Sequence, residues 1–276
     1  MGNQLKLAFI HVNYNNSKLT INCIRSIIQN YSNADIIIVD NNSTKIEKKI
    51  LVKWIDRQNV SNVQFIFEER NLGYFGALNI GLGRILHEIN KYSFVIVGNN
   101  DLEFNSVFFE RLNNSVINNN MFVIAPNIVK PNGIHQNPYS IKPVSCIRKI
   151  LYKILYLSYE VAKVIFWFSS LLGVAESEKD RNGFEKSQYI FAGHGSCYVL
   201  TSNYFKYNGL LVNLTFLMGE EFILSKQISD TGGKIFYDAG LLVLHNEHSS
   251  MENLPSKRVY EYNRTAYNII RKYLQF

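Results

Sequence analysis

The chain has 276 residues, 47% of them hydrophobic and 18% charged, with a formal net charge of +7. That balance describes a folded protein with a sizeable core and excludes a disordered chain. The positive excess points to an anionic partner, while three scattered cysteines (Cys23, Cys146, Cys197) exclude a disulfide framework or zinc knuckle and fit a reducing cytosol.

The first strand, Lys6 to Val12, runs straight into polar Asn13-Tyr14-Asn15-Asn16 with no cleavage-site pattern, so it reads as a core strand, not a signal peptide. Asn16 and Ser17 are cap candidates for a helix over Lys18 to Gln29, whose Leu19, Cys23, Ile24, Ile27 and Ile28 recur at helical spacing. A second strand, Asp35 to Val39, ends in Asp40-Asn41-Asn42-Ser43. A second helix, Lys45 to Gln58, places Ile46, Ile50, Leu51, Trp54 and Ile55 on one face. Val63 to Phe67 is the third strand. Arg70-Asn71-Leu72-Gly73 then opens a helix from Tyr74 to Ile89, with Leu78, Leu82, Ile85, Leu86 and Ile89 inward. The fourth strand, Phe94 to Val97, ends in Asn99-Asn100-Asp101. This alternation over the first 130 residues predicts an α/β fold with a mostly parallel sheet and right-handed crossovers. The polar exits would then share the side where open α/β sheets bind ligands.

The second half has another texture. Pro126 to Pro143 reads as loop, Val144 to Val174 as an apolar and basic helical stretch, and Glu176 to Lys186 as a charged linker. Strands are predicted at Tyr189 to Ala192, Cys197 to Leu200, Lys234 to Tyr237 and Leu241 to Leu244. A helix runs from about Glu220 to Ser229, and a final amphipathic helix from Lys257 to Tyr273. Lys142, Arg148, Lys149, Lys153 and Lys163 are interleaved with aliphatic and aromatic residues, the composition of an interfacial helix. Anionic lipid suits that pattern better than nucleic acid; a helical insertion packed into the core with solvated lysines suits it equally. No segment reaches the length of uncharged apolar sequence expected of a membrane-spanning helix.

Several exits carry candidate chemistry. Amides and backbone of Asn13 to Asn16 can grip a planar base, or simply cap a turn. Asp40 can accept from the N3-H of a uracil or thymine ring or from a ribose hydroxyl, and Asp101 is the charged group of the fourth exit. Gly73, Gly76 and Gly81 lack the dinucleotide-binding spacing, but small residues at a helix start let a ligand approach its amides. The adjacent Glu220 and Glu221 raise each other's pKa, which makes a usable general base, although two acids at a helix start also complement its dipole. His245 ends an apolar strand and would complement Asp101 at a transition ion.

Taken together, Asn13-Tyr14-Asn15, Val39-Asp40-Asn41-Asn42-Ser43, Asn71-x-Gly73-x-x-Gly76-Ala77-x-Asn79-x-Gly81, Asn99-Asn100-Asp101, Gly193-His194-Gly195-Ser196, Gly219-Glu220-Glu221 and His245 resemble family 2 glycosyltransferases. The bacterial rhamnosyltransferase-like branch is the nearest in pattern, and the resemblance runs from about Leu5 to Ser250. It implies a GT-A fold, Rossmann-like, as a single domain over residues 1–276. Within it lie a nucleotide-binding half at 1–130, a loop and amphipathic helical insertion at 131–188, an acceptor and catalytic half at 189–250, and a C-terminal helix at 251–276.

It further implies inverting transfer from a UDP- or dTDP-sugar to a glycan or lipid-linked acceptor in bacterial surface polysaccharide synthesis. The enzyme would be cytoplasmic, with peripheral contact on the inner face of the membrane, and would use Mn²⁺ or Mg²⁺. Asp40 matches the base-contacting carboxylate, and Asn13, Tyr14, Asn15, Asn42, Arg70, Asn71, Gly73, Asn79, Asn99 and Asn100 fall in donor-binding segments. Asp101 matches the last acid of the metal-binding D-x-D motif, whose first acid is replaced by Asn99, and His245 matches a late metal ligand. Glu221 matches the catalytic base, with Glu for the usual Asp, Glu220 would orient it, and His194 and Gly195 would meet the sugar or acceptor. A nucleotidyltransferase is the competing enzyme, but Asn13 to Lys18 lacks the Gly-rich basic loop it needs. A non-catalytic nucleotide-sugar-binding or scaffold protein of the same fold is the competing non-enzyme.

Overall fold

The computed structural model describes residues 5–58, 60–171, 180–246 and 256–275. Its first half is built from β1 (Leu7–Asn13), α1 (Ser17–Asn30), β2 (Asp35–Asp40), α2 (Lys45–Gln58), β3 (Val63–Phe67), α3 (Tyr74–Ile85) and β4 (Phe94–Asn99). Then come β5 (Leu102–Glu103), α4 (Ser106–Asn113), β6 (Met121–Val129), α5 (Cys146–Leu155) and α6 (Tyr159–Leu171). The remainder is β7 (Gln188–Ile190), β8 (Cys197–Thr201), α7 (Ser202–Tyr207), α8 (Glu220–Asp230), β9 (Lys234–His245) and α9 (Ser256–Tyr273).

One sheet carries all nine strands in the order β3-β2-β1-β4-β8-β6-β9-β5, with β7 also on β9. The first four strands are parallel, as the unbroken apolar runs predict, and all seven residues of β1 are buried. Alternate residues of β1 serve opposite layers. Phe9 packs with Ile24 and Ile27 of α1, Trp54 of α2 and Phe108 of α4; Ala8 and Ile10 pack with Leu78 and Leu82 of α3. The close seat of α3 depends on Gly81, where an added Cβ would lie 2.4 Å from Ile10 Cγ2. Antiparallel β8 sits between β4 and β6 and joins the halves into one sheet.

Several expectations are corrected. Ile46 and Ile50 of α2 are 73% and 41% exposed, because this surface helix touches the core mainly through Leu51 and Trp54. Helix α3 ends at Ile85, and a 3-10 turn over Leu86–Lys91 changes the period and leaves Leu86 exposed. Pro126 to Val129 is not loop; it is the end of β6, with Pro126 tolerated beside a register shift against β9. That irregularity also explains why the two strands predicted at 234–237 and 241–244 are one. The stretch predicted as helical over Val144 to Val174 is, as far as Leu171, two helices parted at Tyr156–Ser158; its residues 172–174 and residues 176–179 of the expected linker lie outside the described residues.

Candidate functional site

Polar residues at the strand exits form two groups that differ in how they are sealed. The first follows from the parallel register, which sets Asn13 of β1 beside Asp40 of β2. Asn13 donates from Nδ2 to Asp40 Oδ2 at 2.6 Å and to Ser43 Oγ at 3.2 Å; its Oδ1 accepts from Thr20 at 2.8 Å and Asn100 at 2.9 Å. Asp40 Oδ1 accepts the Ser43 backbone N–H at 3.0 Å and lies 3.6 Å from Lys48 Nζ. Asn13, Thr20 and Asp40 are fully buried.

Asp40, expected to touch a base, and Asn13 and Asn100, expected to touch the donor, therefore meet one another and fix the loops around the exit. Asn79 is also occupied elsewhere, since its amide donates to the Leu211 carbonyl at 2.8 Å and accepts the Leu211 N–H at 2.9 Å. Side chains at this rim that do face solvent are Tyr14, Asn15, Asn42 and Arg70. Asn15 and Asn42 adopt left-handed backbone conformations (φ 54° and 68°), which asparagine tolerates better than most residues. Behind them Asn71 Oδ1 accepts from Asn41 Nδ2 and the Gly73 N–H, and Gly73, at φ 76°, leaves no room for a side chain against the Phe216 carbonyl.

The second group is made by an element too short to be predicted. Strand β5 pairs antiparallel with β9, setting Leu102 opposite His245, and the Asn246 N–H bonds to the Asp101 carbonyl at 2.9 Å. Asp101 Oδ1 thereby lies 3.2 Å from His245 Nε2, with both side chains buried. The other ring nitrogen, Nδ1, is 2.6 Å from Gln136 Oε1, which can only accept, so Nδ1 carries a proton. In the neutral ring Nε2 then presents a lone pair to a carboxylate oxygen. Two acceptors at that distance require a cation or a further proton between them, and carbonyl-type orientation of a histidine's second nitrogen is the usual support of a metal ligand. Asp101 and His245 thus fit a divalent ion as a two-residue anchor; among the described residues no cluster of three His, Cys, Asp or Glu side chains forms a metal site.

Aromatic contacts lead from this pair to the glutamates. The His194 ring centroid is 6.0 Å from that of His245 and 6.0 Å from that of Tyr139. His194 Nδ1 accepts the Ser196 N–H at 3.3 Å, and burial, aided by His245 and Arg181, drives its pKa down to about 3. Its Nδ1 also lies 2.9 Å from Ser196 Oγ, which fixes the ring orientation. The carboxylate of Glu221 is the largest cause of the upward shift of the Tyr139 phenol, and the Arg181 guanidinium lies 5.4 Å from that ring. Tyr139, Arg181 and Gln136 were not read from the sequence, because all three come from the irregular stretches flanking the helical insertion.

Helix α8 starts at Gly219, whose φ of 81° turns the chain so that both glutamates enter its first turn. Glu220 is 6% exposed and its Oε1 has no hydrogen-bond partner; burial, then the neighbouring Glu221, raises its pKa to about 8. Burial raises Glu221 too, against the backbone N–H of Gly195. A Cβ on Gly195 would lie 2.9 Å from Glu221 Oε1, so the glycine makes room for this approach, and Tyr74 fixes it by donating to its carbonyl at 2.8 Å. On the opposite side of the pair, His11 of β1 supports Asn99 by donating from Nδ1 to its carbonyl at 2.7 Å, and burial lowers its pKa to about 4. It lies inside an apolar run, which hid it from the sequence reading.

The model of the Glycosyl transferase family 2 matches residues 9–169. Solved structures similar in fold include GalNAc-T7 with UDP, GalNAc and Mn²⁺ (TM-score 0.58, 16% identity, 91% of this chain and 45% of that one). S. aureus TarS 1-349 in complex with UDP-GlcNAc is similar at TM-score 0.58 and 12% identity, over 91% of this chain and 62% of that one. Mannosyltransferase PcManGT from Pyrobaculum calidifontis, with GDP-Man and Mn²⁺, is similar at TM-score 0.57 and 12% identity, over 94% and 61%. The chain thus spans 45–62% of the length of these structures. No curated protein matches it.

Proposed function

The chain belongs to glycosyl transferase family 2, and from that premise we propose that it is an inverting glycosyltransferase moving a sugar from a UDP- or dTDP-sugar to an acceptor hydroxyl. The acceptor is a glycan or lipid-linked glycan of a bacterial surface polysaccharide, and the nearest branch is the rhamnosyltransferase-like one. The observation that carries this reading is the buried 3.2 Å approach of Asp101 Oδ1 to His245 Nε2, linked through His194 and Tyr139 to Glu221. The structures similar in fold hold UDP, GDP-Man or UDP-GlcNAc, two of them with Mn²⁺, in keeping with a nucleotide-sugar donor and a divalent ion.

Asp101 and His245 would hold Mn²⁺ or Mg²⁺, which when bound supplies positive charge to the diphosphate leaving group. The rest is done by the chain. Gln136 keeps His245 in the tautomer that offers Nε2, and His11 holds the Asn99 peptide from below. The exposed rim of Tyr14, Asn15, Asn42 and Arg70 receives the nucleotide, with Asn71, Gly73 and Asn99 shaping the backbone beneath it.

Glu221 removes the proton from the acceptor hydroxyl as its oxygen attacks the anomeric carbon opposite the leaving diphosphate. Glu220, with a pKa near 8, stays protonated at neutral pH and limits the pair to one negative charge, which leaves Glu221 free to ionise. His194 meets the sugar or acceptor, and Gly195 gives the base its space. Mass transfer from a panel of UDP-, dTDP- and GDP-sugars with Mn²⁺ or Mg²⁺ tests the reading. Product formation supports it; binding of donor with neither transfer nor hydrolysis would point instead to a binding protein.

A further inference from the structure

Helix α5 turns its most apolar arc away from the protein. Ile147, Ile150, Leu151 and Ile154 stand at i, i+3, i+4 and i+7 on one side, and they are 72%, 60%, 56% and 42% exposed. The inward side is carried by Tyr152, and by Tyr156 just beyond the helix. Their rings meet Tyr267 of α9 at 6.5 and 4.8 Å, and no residue of α5 is buried. Helix α6 is open over its later part: Ala162 is fully buried, while Val164, Phe166, Trp167 and Phe168 are more than half exposed. A helix stabilised by the core faces the other way, and a large apolar patch left open marks an interaction surface.

Charge identifies what the surface meets. Lys149 and Lys153 of α5 and Arg271 of α9, with Ile150 and Tyr267, line an open groove of about 280 Å³ beside the apolar arc. By helical geometry Arg148 and Lys153 fall on the two flanks of that arc. Arg264 of α9 donates to the carbonyls of Tyr156 and Leu157, both at 3.0 Å, which pins the turn between the two helices and holds the pair to the body. Aliphatic and aromatic side chains projecting between flanking cations match the boundary between acyl chains and phosphate headgroups. A protein partner would need an apolar centre largely free of charge, not one with cations on both flanks.

We propose that α5 and α6 form a membrane-docking face that seats the protein on an anionic phospholipid bilayer. The apolar arc of α5 and Val164, Trp167 and Phe168 of α6 enter the acyl boundary, and Lys153 and Arg271 take the headgroup phosphates. The protein lies on the bilayer through this face; among the described residues no helix is long and apolar enough to cross one. The face also gives the transfer reading an address, since a lipid-linked acceptor would arrive at the same surface.

Docking is read without donor, acceptor or turnover, so its failure is distinct from failure of the transfer reading. The full chain is mixed with vesicles of phosphatidylcholine alone or of equal parts phosphatidylcholine and phosphatidylglycerol, then sedimented, with tryptophan emission recorded. The chain has two tryptophans, and Trp54 is 8% exposed while Trp167 is 59% exposed, so a shift in emission reports Trp167. The expected result is binding to the anionic vesicles only, with a blue shift, reversed by salt. Lys153→Glu and Arg271→Glu should each weaken it about tenfold or more, and Trp167→Ala should remove the shift. Lys153, Trp167 and Ile150 are exposed, so their variants should keep the wild-type melting temperature; Arg271 is half-buried over the Tyr267 ring, so Lys153→Glu carries the charge test if Arg271→Glu lowers that temperature, and Ile150→Ser provides the same test without touching charge. No binding, equal binding to both vesicles, or binding unmoved by both charge reversals would overturn the proposal. So would a blue-shifted dimer in the absence of vesicles, with Trp167 covered by a second copy.

Discussion

The two polar groups at the strand exits use the same residue types and have opposite characters. Around Asp40 the side chains are bonded to one another: Asn13 alone is bonded to Asp40, Ser43, Thr20 and Asn100. Around Asp101 buried titratable groups are set face to face. His245 Nε2 lies 3.2 Å from the Asp101 carboxylate, Glu220 Oε1 accepts no hydrogen bond among the described residues, and two acids share the first turn of a helix. Burying a carboxyl oxygen without a partner, as at Glu220, costs on the order of 1–3 kcal/mol, so a fold keeps it only where something else is gained. An acidic strand exit is therefore not a site by position; the two exits differ in whether the carboxylate is held by amides and hydroxyls around it or set beside other buried titratable groups.

That contrast can be broken by experiment. The largest expected effect is on the open group: Glu221→Gln should lower transfer by about 10²–10⁴-fold, the span of a lost general base, with donor affinity nearly unchanged. Rates measured under saturating donor, alongside a donor titration, check both halves. The sealed group should respond in stability instead. Asn13→Ala removes one partner each from buried Asp40, Asn100 and Thr20 and should cost about 3 kcal/mol in urea unfolding, with the turnover of the folded fraction preserved. If Asn13→Ala abolished transfer in stably folded protein, the division between the groups would fail.

A smaller effect concerns pH. Folding holds Glu220 protonated up to about pH 8, whereas the unfolded carboxyl ionises near 4.5. Its contribution to stability is therefore full below about pH 4.5 and is lost as pH rises from there through about 8. Melting temperatures of the wild type should fall across that window by several degrees more than those of Glu220→Gln. The smallest effect is at the edge of the sealed group, where Lys48→Met removes a partly exposed ion pair with Asp40. It should cost on the order of 1 kcal/mol or less and leave donor binding untouched.

Much of the first half was legible because its signals are local. Buried parallel strands read as apolar runs, their helices as 3.6-residue periods, and α2 and β3 begin and end where the spacing puts them. Other features depend on partners distant in sequence. Strand β5 has two residues and exists through β9; β6 continues through Pro126 because a register shift accommodates it; in β1, His11 hides among hydrophobics. Asp101, His245, Glu220 and Glu221 were found through their places at element ends. Gln136, Tyr139 and Arg181 carry no local pattern and become visible only when the chain folds back on itself. The inverted faces of α5 and α6 lie between these cases, since their composition was plain but its orientation was not.

The central claim is that Asp101 and His245 form the ion-dependent half of a donor site. Calorimetric titration of UDP and of dTDP, each with and without Mn²⁺, into the wild type, Asp101→Asn and His245→Gln tests it most directly. The expected result is wild-type binding of at least one nucleotide that tightens with Mn²⁺, and a loss of that tightening in both variants while each melts as a folded protein. Binding that ignores Mn²⁺ in the wild type, or Mn²⁺-dependent binding that survives in both variants, would contradict it.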